Sequence, residues 1–446
     1  VKVFPALSVF LMAALCATRL ARADDSVEAR VRVLAEENAG LQRQLRAQQA
    51  TLETMAAQLA ELRTGGARQE QALRELREAA AEPAAALAPA RGEREVRLSG
   101  EVGLAFFKTG RAGAFPKAQF RADDAKIFIE APVIKDTYFL GEIDLATRED
   151  ATNFALGELY VDFENVSGRL GGAPRALNVR AGQIYTPFGE EYLARGPLAN
   201  PLISHSLADP WGIDPGIEAY GSAGAWSYVV AGQNGGSNPL QDFTADKSVA
   251  ARLGWEPQAW LQLSASTMRT GDLRVNTATV PGDGFSSLWF GNGFFRALGS
   301  DKTTTTFWAS LAQADAVGRW KAGRFGVSAG LARFDDNDRA ADNARTLRYG
   351  AIELVQSLTP EVFVAARASW INAPGGYPLV GWGNFGRYVF ASPLTTQLHR
   401  FSLGFGYRLG PPLVLKLEYT WENGRLTTGA RRDAEDFFGA EAAMKF

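Results

Sequence analysis

From Val96 to the final Phe446 the sequence alternates apolar and polar residues with a period of two, and few folds accommodate that pattern over so many residues. In Leu413–Glu422 one face carries Leu413, Leu415, Leu417, Tyr419 and Trp421, and the other carries Lys416, Glu418, Thr420 and Glu422. His399–Leu409 repeats it, with Phe401, Leu403, Phe405 and Tyr407 opposite Arg400, Ser402, Gly404 and Arg408. Successive side chains of a strand point to opposite faces, so each run is a ribbon with one wet and one apolar side. Runs of this kind fall near 96–108, 117–133, 136–149, 155–166, 176–186, 216–223, 225–233, 246–256, 258–270, 304–317, 319–334, 345–359, 361–372, 396–409, 412–423 and 436–446. That is an even count of sixteen, as a single-chain transmembrane barrel requires.

The connections alternate in length. One set is short: 133–136, 223–225, 256–259, 316–319, 358–361 and 410–412, with 165–176 the longer exception. The other contains 186–216, 233–246, 271–304, 334–345, 372–396 and 423–436. Short periplasmic turns and long outer loops are the signature of an outer-membrane barrel. Trp255 and Trp260 around one turn, and Trp320 beside another, are placed as an interfacial girdle would be. The last strand carries Phe438, Ala440, Ala442, Met444 and Phe446 on one face, a terminal signal for the barrel-insertion machinery. A soluble sandwich or propeller accounts for neither feature. A mean hydropathy of -0.13 excludes a bundle of membrane helices but suits a barrel, in which only alternate residues meet lipid.

The first 95 residues read differently. Residues 1–23 form a signal peptide, with Lys2 before an apolar run and Ala21-Arg22-Ala23 as the cleavage site. Leu15 before Cys16 argues against lipidation, and the mature chain has no cysteine. Residues 24–80 form a periplasmic α-helical coiled coil, because Val27, Val31, Leu34, Leu41, Leu45, Leu52, Met55, Leu59 and Leu62 follow heptad spacing, resumed at Leu73 and Leu76. Residues 81–95 are an Ala/Pro-rich linker, and residues 96–446 the barrel.

The third long connection begins with Gly182-Gln183-Ile184-Tyr185-Thr186-Pro187-Phe188-Gly189-Glu190 and ends at Asp214-Pro215-Gly216-Ile217-Glu218. In these residues the chain resembles the phosphate-selective porin O/P family. The resemblance implies a homotrimer of sixteen-stranded subunits in the outer membrane, a loop folded into the lumen, and passage of small hydrophilic solutes or ions, anions such as phosphate among them. It needs no cofactor. The candidate constriction residues are Pro187, Phe188, Gly189, Glu190, Glu191, Arg195, His205, Asp209 and Asp214. Pro187 has no N–H for the ladder and Gly189 permits a sharp turn, so Pro187, Phe188 and Gly189 shape the loop and do not bind solute. Arg195 is its single basic residue, a poor phosphate trap.

Strand parity turns Arg97, Arg148, Arg180, Arg252, Arg367, Arg400, Arg408 and Lys416 into the lumen, together with Glu101, Glu142, Asp144, Glu158, Asp162, Glu418 and Glu422. Rows of opposite sign facing each other would set a transverse field; neighbouring salt bridges would cancel it. Of the two histidines, His399 has lipid-facing parity, and His205 reads as a solvated loop residue that could also act as a pH-sensitive lumen group. No Ser-His-Asp order, metal-ligand spacing or basic nucleic-acid platform is visible, so enzyme and nucleic-acid readings are weak. A rival role is structural: a barrel anchor that tethers the envelope through its coiled coil.

Overall fold

The computed structural model describes residues 95–147, 154–235, 246–275, 291–298, 303–389 and 393–446; the leader, coiled coil and linker lie outside them. The chain divides into units Val1–Ala88 and Pro89–Phe446. The second unit is a closed barrel of sixteen antiparallel strands. In chain order these are β1 Arg97–Thr109, β2 Gln119–Ile134, β3 Thr137–Ala146, β4 Ala155–Phe163, β5 Asn178–Tyr185, β6 Ile213–Ala223, β7 Trp226–Gln233 and β8 Ser248–Gln258. They continue with β9 Leu261–Arg269, β10 Thr306–Trp320, β11 Gly323–Asp336, β12 Arg345–Ser357, β13 Val362–Tyr377, β14 Thr395–Gly410, β15 Leu413–Leu426 and β16 Phe437–Lys445. Two further two-residue pieces extend this set: Leu273–Arg274 pairs with β10 as β9 does, and Arg431–Arg432 pairs with β15 as β16 does.

Each strand pairs with its sequence neighbours, and β1 closes the ring on β16, from Glu101↔Lys445 to Thr109↔Phe437. Closure leaves no sheet edge, so every backbone polar group in the apolar region finds a partner within the sheet. Phe446 completes the seam: its N–H donates to Gly100 O and its carbonyl accepts from Gly100 N, both at 3.0 Å. A Cβ on residue 100 would stand 2.3 Å from the Phe446 ring, so glycine is what lets the terminal aromatic lie flat against β1. Among the described residues no helix is long and apolar enough to cross a membrane.

The outer face is the apolar face. Leu253, Leu331, Leu354, Phe401, Leu403, Phe405, Leu415, Leu417 and Trp421 are all exposed on it, the inverse of a soluble protein. Near the short turns Trp226 stacks on Trp255 with centroids 5.6 Å apart, and Trp260 and Trp320 are exposed beside them. His399 is exposed on this face, as its parity requires.

Two turns differ from the sequence reading. The turn expected at 316–319 is displaced: β10 runs to Trp320, and Lys321 and Ala322 make the turn, because the small residues Gly318 and Gly323 let Trp320 and Phe325 cross-pack beside it. The turn expected at 256–259 sits at Ala259 and Trp260, since β8 reaches Gln258 after a register shift at Trp255/Gln258. The longer connection between β4 and β5 holds one helical turn, α1, Val166–Arg169. Over the outer end lie α2, Gly291–Leu298, and α3, Phe385–Val389. There Arg432 is fully buried, donates to Leu379 O, Val380 O and Glu435, and sits 3.5 Å over the Tyr388 ring. Burial first, and then the hydrogen bond to Glu435, pushes the Tyr388 phenol up to about 12.

Candidate functional site

β5 ends at Tyr185, paired with Ile213, and Thr186 N donates to Gly212 O at 2.8 Å. The 25 residues between, 187–211, leave the wall at that point. Pro187 cannot extend the ladder, and Gly189 adopts φ +74°, a left-handed conformation that costs glycine little. Gly189 N then donates to Ser266 Oγ of β9 at 3.0 Å, and a 3₁₀ turn follows at Glu191–Ala194. Phe188 is buried in an apolar cluster with Leu207 and Ala208, which roots both ends of the loop.

The loop then meets the opposite wall. In a ring of sixteen, β13 and β14 lie eight strands away from β5 and β6. Arg367 of β13 donates to Ser204 O at 2.6 Å and to Asn200 Oδ1 at 3.0 Å, and Leu207 N donates to Ser369 Oγ. Arg400 of β14 donates to His205 O at 2.7 Å. On β15, Lys416 donates to Pro197 O at 2.6 Å, while Glu418 accepts from Ile203 N and Ser204 N at 2.6 and 2.8 Å. Glu101 of β1 accepts from Leu198 N at 2.7 Å. The loop therefore crosses the lumen, and its backbone is tied to charged side chains that strand parity turns inward. Charge-assisted bonds of this kind contribute about 1.5–3 kcal/mol each, enough to fix one path for the loop.

Loop carboxylates are tied as well. Glu190 pairs with Arg252 and accepts from Gln262 and Ser264 at 3.1 and 2.6 Å. Glu191 accepts from Ser206 N at 2.8 Å, and Asp209 pairs with Arg195, whose guanidinium lies 5.0 Å over Trp211. His205 is half-buried, its Nδ1 3.8 Å from Glu191 and 3.9 Å from Asp209; packing between two carboxylates corrects the expectation of a solvated loop histidine. These three residues have metal-ligand spacing, but Arg195 and Ser206 already engage the two carboxylates, so they form a satisfied knot. Asp214 lies at the loop's exit and accepts from Gly235 N.

On the β2–β6 side the lumen charges pair with their neighbours. Lys126 bonds Glu142 at 2.7 Å and lies 3.7 Å from Asp144; Arg180 bridges Asp162 and Glu218 at 3.0 and 3.2 Å between the rings of Tyr160 and Tyr220. Glu158 accepts from Tyr185 N at 3.3 Å. Arg400 pairs with Glu422 and Lys416 with Glu441 across adjacent strands. Arg408 lies over Phe363 near a short turn, and Arg97 is exposed at the start of β1. Arg148 falls outside the described residues. Among the described residues Lys126, Arg180, Arg252, Arg367, Arg400 and Lys416 are cancelled locally, by carboxylates of an adjacent strand or of the loop, and not by a facing row. Lys126, Glu218, Glu353, Asp315 and Glu441 also belong to this lumen lining; all five lie inside the runs read from the sequence, and the parity that selected the others selects them too.

A family model described as Putative beta-barrel porin-2, OmpL-like, matches residues 132–446. Among solved structures the chain is similar to in-vitro folded OmpT, an outer membrane protein of Vibrio cholerae, with a TM-score of 0.52 and 11% identity over 81% of this chain and 100% of that one. Its trimer form gives 0.52 and 12% over 79% and 99%. The outer membrane channel DcaP of Acinetobacter baumannii gives 0.50 and 13% over 81% and 100%. At such identities the likeness is one of fold. No curated protein matches the sequence.

Proposed function

The chain belongs to the β-barrel porin-2, OmpL-like family, and from that premise we propose that it forms a water-filled channel in the bacterial outer membrane for passive diffusion of small hydrophilic solutes. The observation that carries this reading is the loop 187–211, which spans the lumen on hydrogen bonds to β13, β14, β15 and β1 and so narrows the bore at a fixed place. Pro187, Phe188 and Gly189 aim it, and Glu190, Glu191, Arg195, His205 and Asp209 are its charged and polar edge.

Preference for phosphate is the finer reading, and the charges argue against it. Dehydrating an anion takes several donors that are not already engaged. Arg195, Arg252, Arg367, Arg400 and Lys416 are each paired with a carboxylate. A homotrimer fits the outer face at the β15–β16–β1 seam, where Ala440 and Ala442 lie low among Leu104, Phe106, Leu415 and Leu417 and leave an apolar groove; the likeness to a trimeric OmpT form points the same way. A periplasmic coiled coil at 24–80, joined through a linker at 81–95, remains part of this reading, and the alternating faces of β16 suit recognition by the barrel-insertion machinery.

Planar-bilayer recording of the purified protein tests the reading. Discrete conductance steps in groups of three, without block by phosphate, are the expected result. Absence of conductance from folded protein would overturn the channel.

A further inference from the structure

Between the loop and the wall of β10, β11 and β12 lies a cavity of about 100 Å³, room for several water molecules. The wall there is built from small residues, Gly326, Ser328 and Ala351. Six charged groups line it, four acidic and two basic: Glu190, Glu191, Asp315, Glu353, Arg324 and Arg367. Most are compensated. Glu190 pairs with Arg252, and Glu353 takes Arg324 at 3.1 Å and Arg367 at 2.5 Å. Glu191 has Arg367 at 3.9 Å and accepts from Ser206.

Asp315 differs. Among the described residues it has no basic group within salt-bridge distance, and it is 7% exposed. Its Oδ1 accepts from Gln313 Nε2 at 2.8 Å, whereas its Oδ2 has no hydrogen-bond partner. That bond also fixes the Gln313 amide, since the flipped form would set two acceptors against each other. Gln313 Oε1, on a residue 6% exposed, is in consequence a second buried acceptor without a partner. The cavity is thus lined by a buried carboxyl with no basic partner and by two acceptor oxygens without hydrogen bonds, a combination that leaving unsatisfied costs free energy and that a cation with N–H donors satisfies.

Resting on the channel reading, we propose that this cavity is a binding station for small ammonium- or guanidinium-bearing cations, held by the Asp315 and Gln313 side chains among Glu190, Glu191 and Glu353, and that it gives the channel a preference for cationic solutes. Neighbouring negative charge at about 4 Å favours a cation even in water, by about fivefold in occupancy. The test is reversal potential across a potassium chloride gradient, followed by titration with 1,4-diaminobutane and with its fully N-methylated analogue, which has no N–H. Expected are a cation-favouring potential, block by the diamine, and block by the analogue at least about threefold weaker, because the analogue keeps both charges but makes no N–H bond. Asp315→Asn should lower both the cation-to-anion permeability ratio and the diamine's potency by a similar factor. Equal block by the two amines overturns the station without recourse to any variant. So does a conducting Asp315→Asn channel with unchanged ratio and block. Wild-type protein without conductance overturns the channel reading, and this inference with it.

Discussion

Two regions close over the interior of this barrel by opposite means. The loop 187–211 crosses mid-lumen on hydrogen bonds from Arg367, Arg400, Lys416 and Glu418. The outer cap is held by rings: Phe294 and Phe295 of α2 pack on Tyr377 and Phe307, with centroids 4.9 Å apart, and Phe334 on Tyr377 at the same distance. The strand residues of both sets face the same lumen by parity. What separates them is cover. At the outer ends of β10–β14 the chain folds back on itself and buries Phe307, Phe334, Leu347 and Leu398 completely, so the hydrophobic effect works there as in a soluble core. Deeper in, lumen side chains must stay polar, and fixing a loop among them falls to directional bonds. Phe188 and Leu207 join the two regimes, because they root the loop's ends in the apolar cluster while its middle is steered by charge.

If the cap is an ordinary core, truncating it should be costly. Phe307→Ala should lose about 3–5 kcal/mol, the range for deleting a buried aromatic, read by denaturant unfolding of the folded barrel in detergent. A loss under 1 kcal/mol would mean that the cap is packed too loosely to deserve the contrast. The polar regime is expected to be weaker per residue but more consequential for the bore. Glu418 is 1% exposed and accepts from two loop N–H groups and the Ser204 hydroxyl. Glu418→Ala should free the middle of the loop, so that water reaches the released donors and the net loss is held to about 2–3 kcal/mol, with protease sensitivity near 198–206 and a larger, noisier conductance. Glu418→Gln, which keeps an acceptor, should lie between the two.

The sequence showed the wall more fully than the bore. Alternation of Leu415, Leu417 and Tyr419 with Lys416 and Glu418 marks two faces, because a strand's geometry is local; turn ends slipped by two to four residues only where Gly318, Gly323 and the β8 irregularity moved them. Pro187 and Gly189 likewise announced the loop's departure. Its path was not legible, since Ser204 and Glu418 are 214 residues apart in sequence and nothing local records that they meet. For the same reason His205 looked solvated, and Arg180 looked as available to solute as any other lumen arginine until Asp162 and Glu218 were seen on either side of it. Parity gives the direction of a charge; only the fold gives its partner.

A third change tests whether the loop's departure depends on backbone conformation as well as on its bonds. Gly189→Ala places a Cβ at φ +74° and 2.7 Å from Gln313 Nε2, an amide that can move. The left-handed conformation costs alanine about 1–2 kcal/mol, so a modest drop in thermal stability is expected, together with an altered response to diamine as Gln313 shifts. No change in either would show that loop entry is governed by Ser266 and the apolar roots alone.

The smallest effect is expected where the bond looks just as good. Arg175 meets Glu164 at 2.9 Å, a contact as short as several that hold the loop, but on a turn between β4 and β5 with the arginine side chain 67% exposed. There both charges remain hydrated, the long side chains lose rotamer freedom to meet, and salt screens what attraction is left. Arg175→Ala should therefore change stability by less than about 0.5 kcal/mol, with conductance unaltered. Measured in the same unfolding assay as Glu418→Ala, the pair isolates burial from bond length: if the two variants lose similar amounts, the lumen bonds behave as surface bonds, and the loop must owe its place to Phe188 and Leu207.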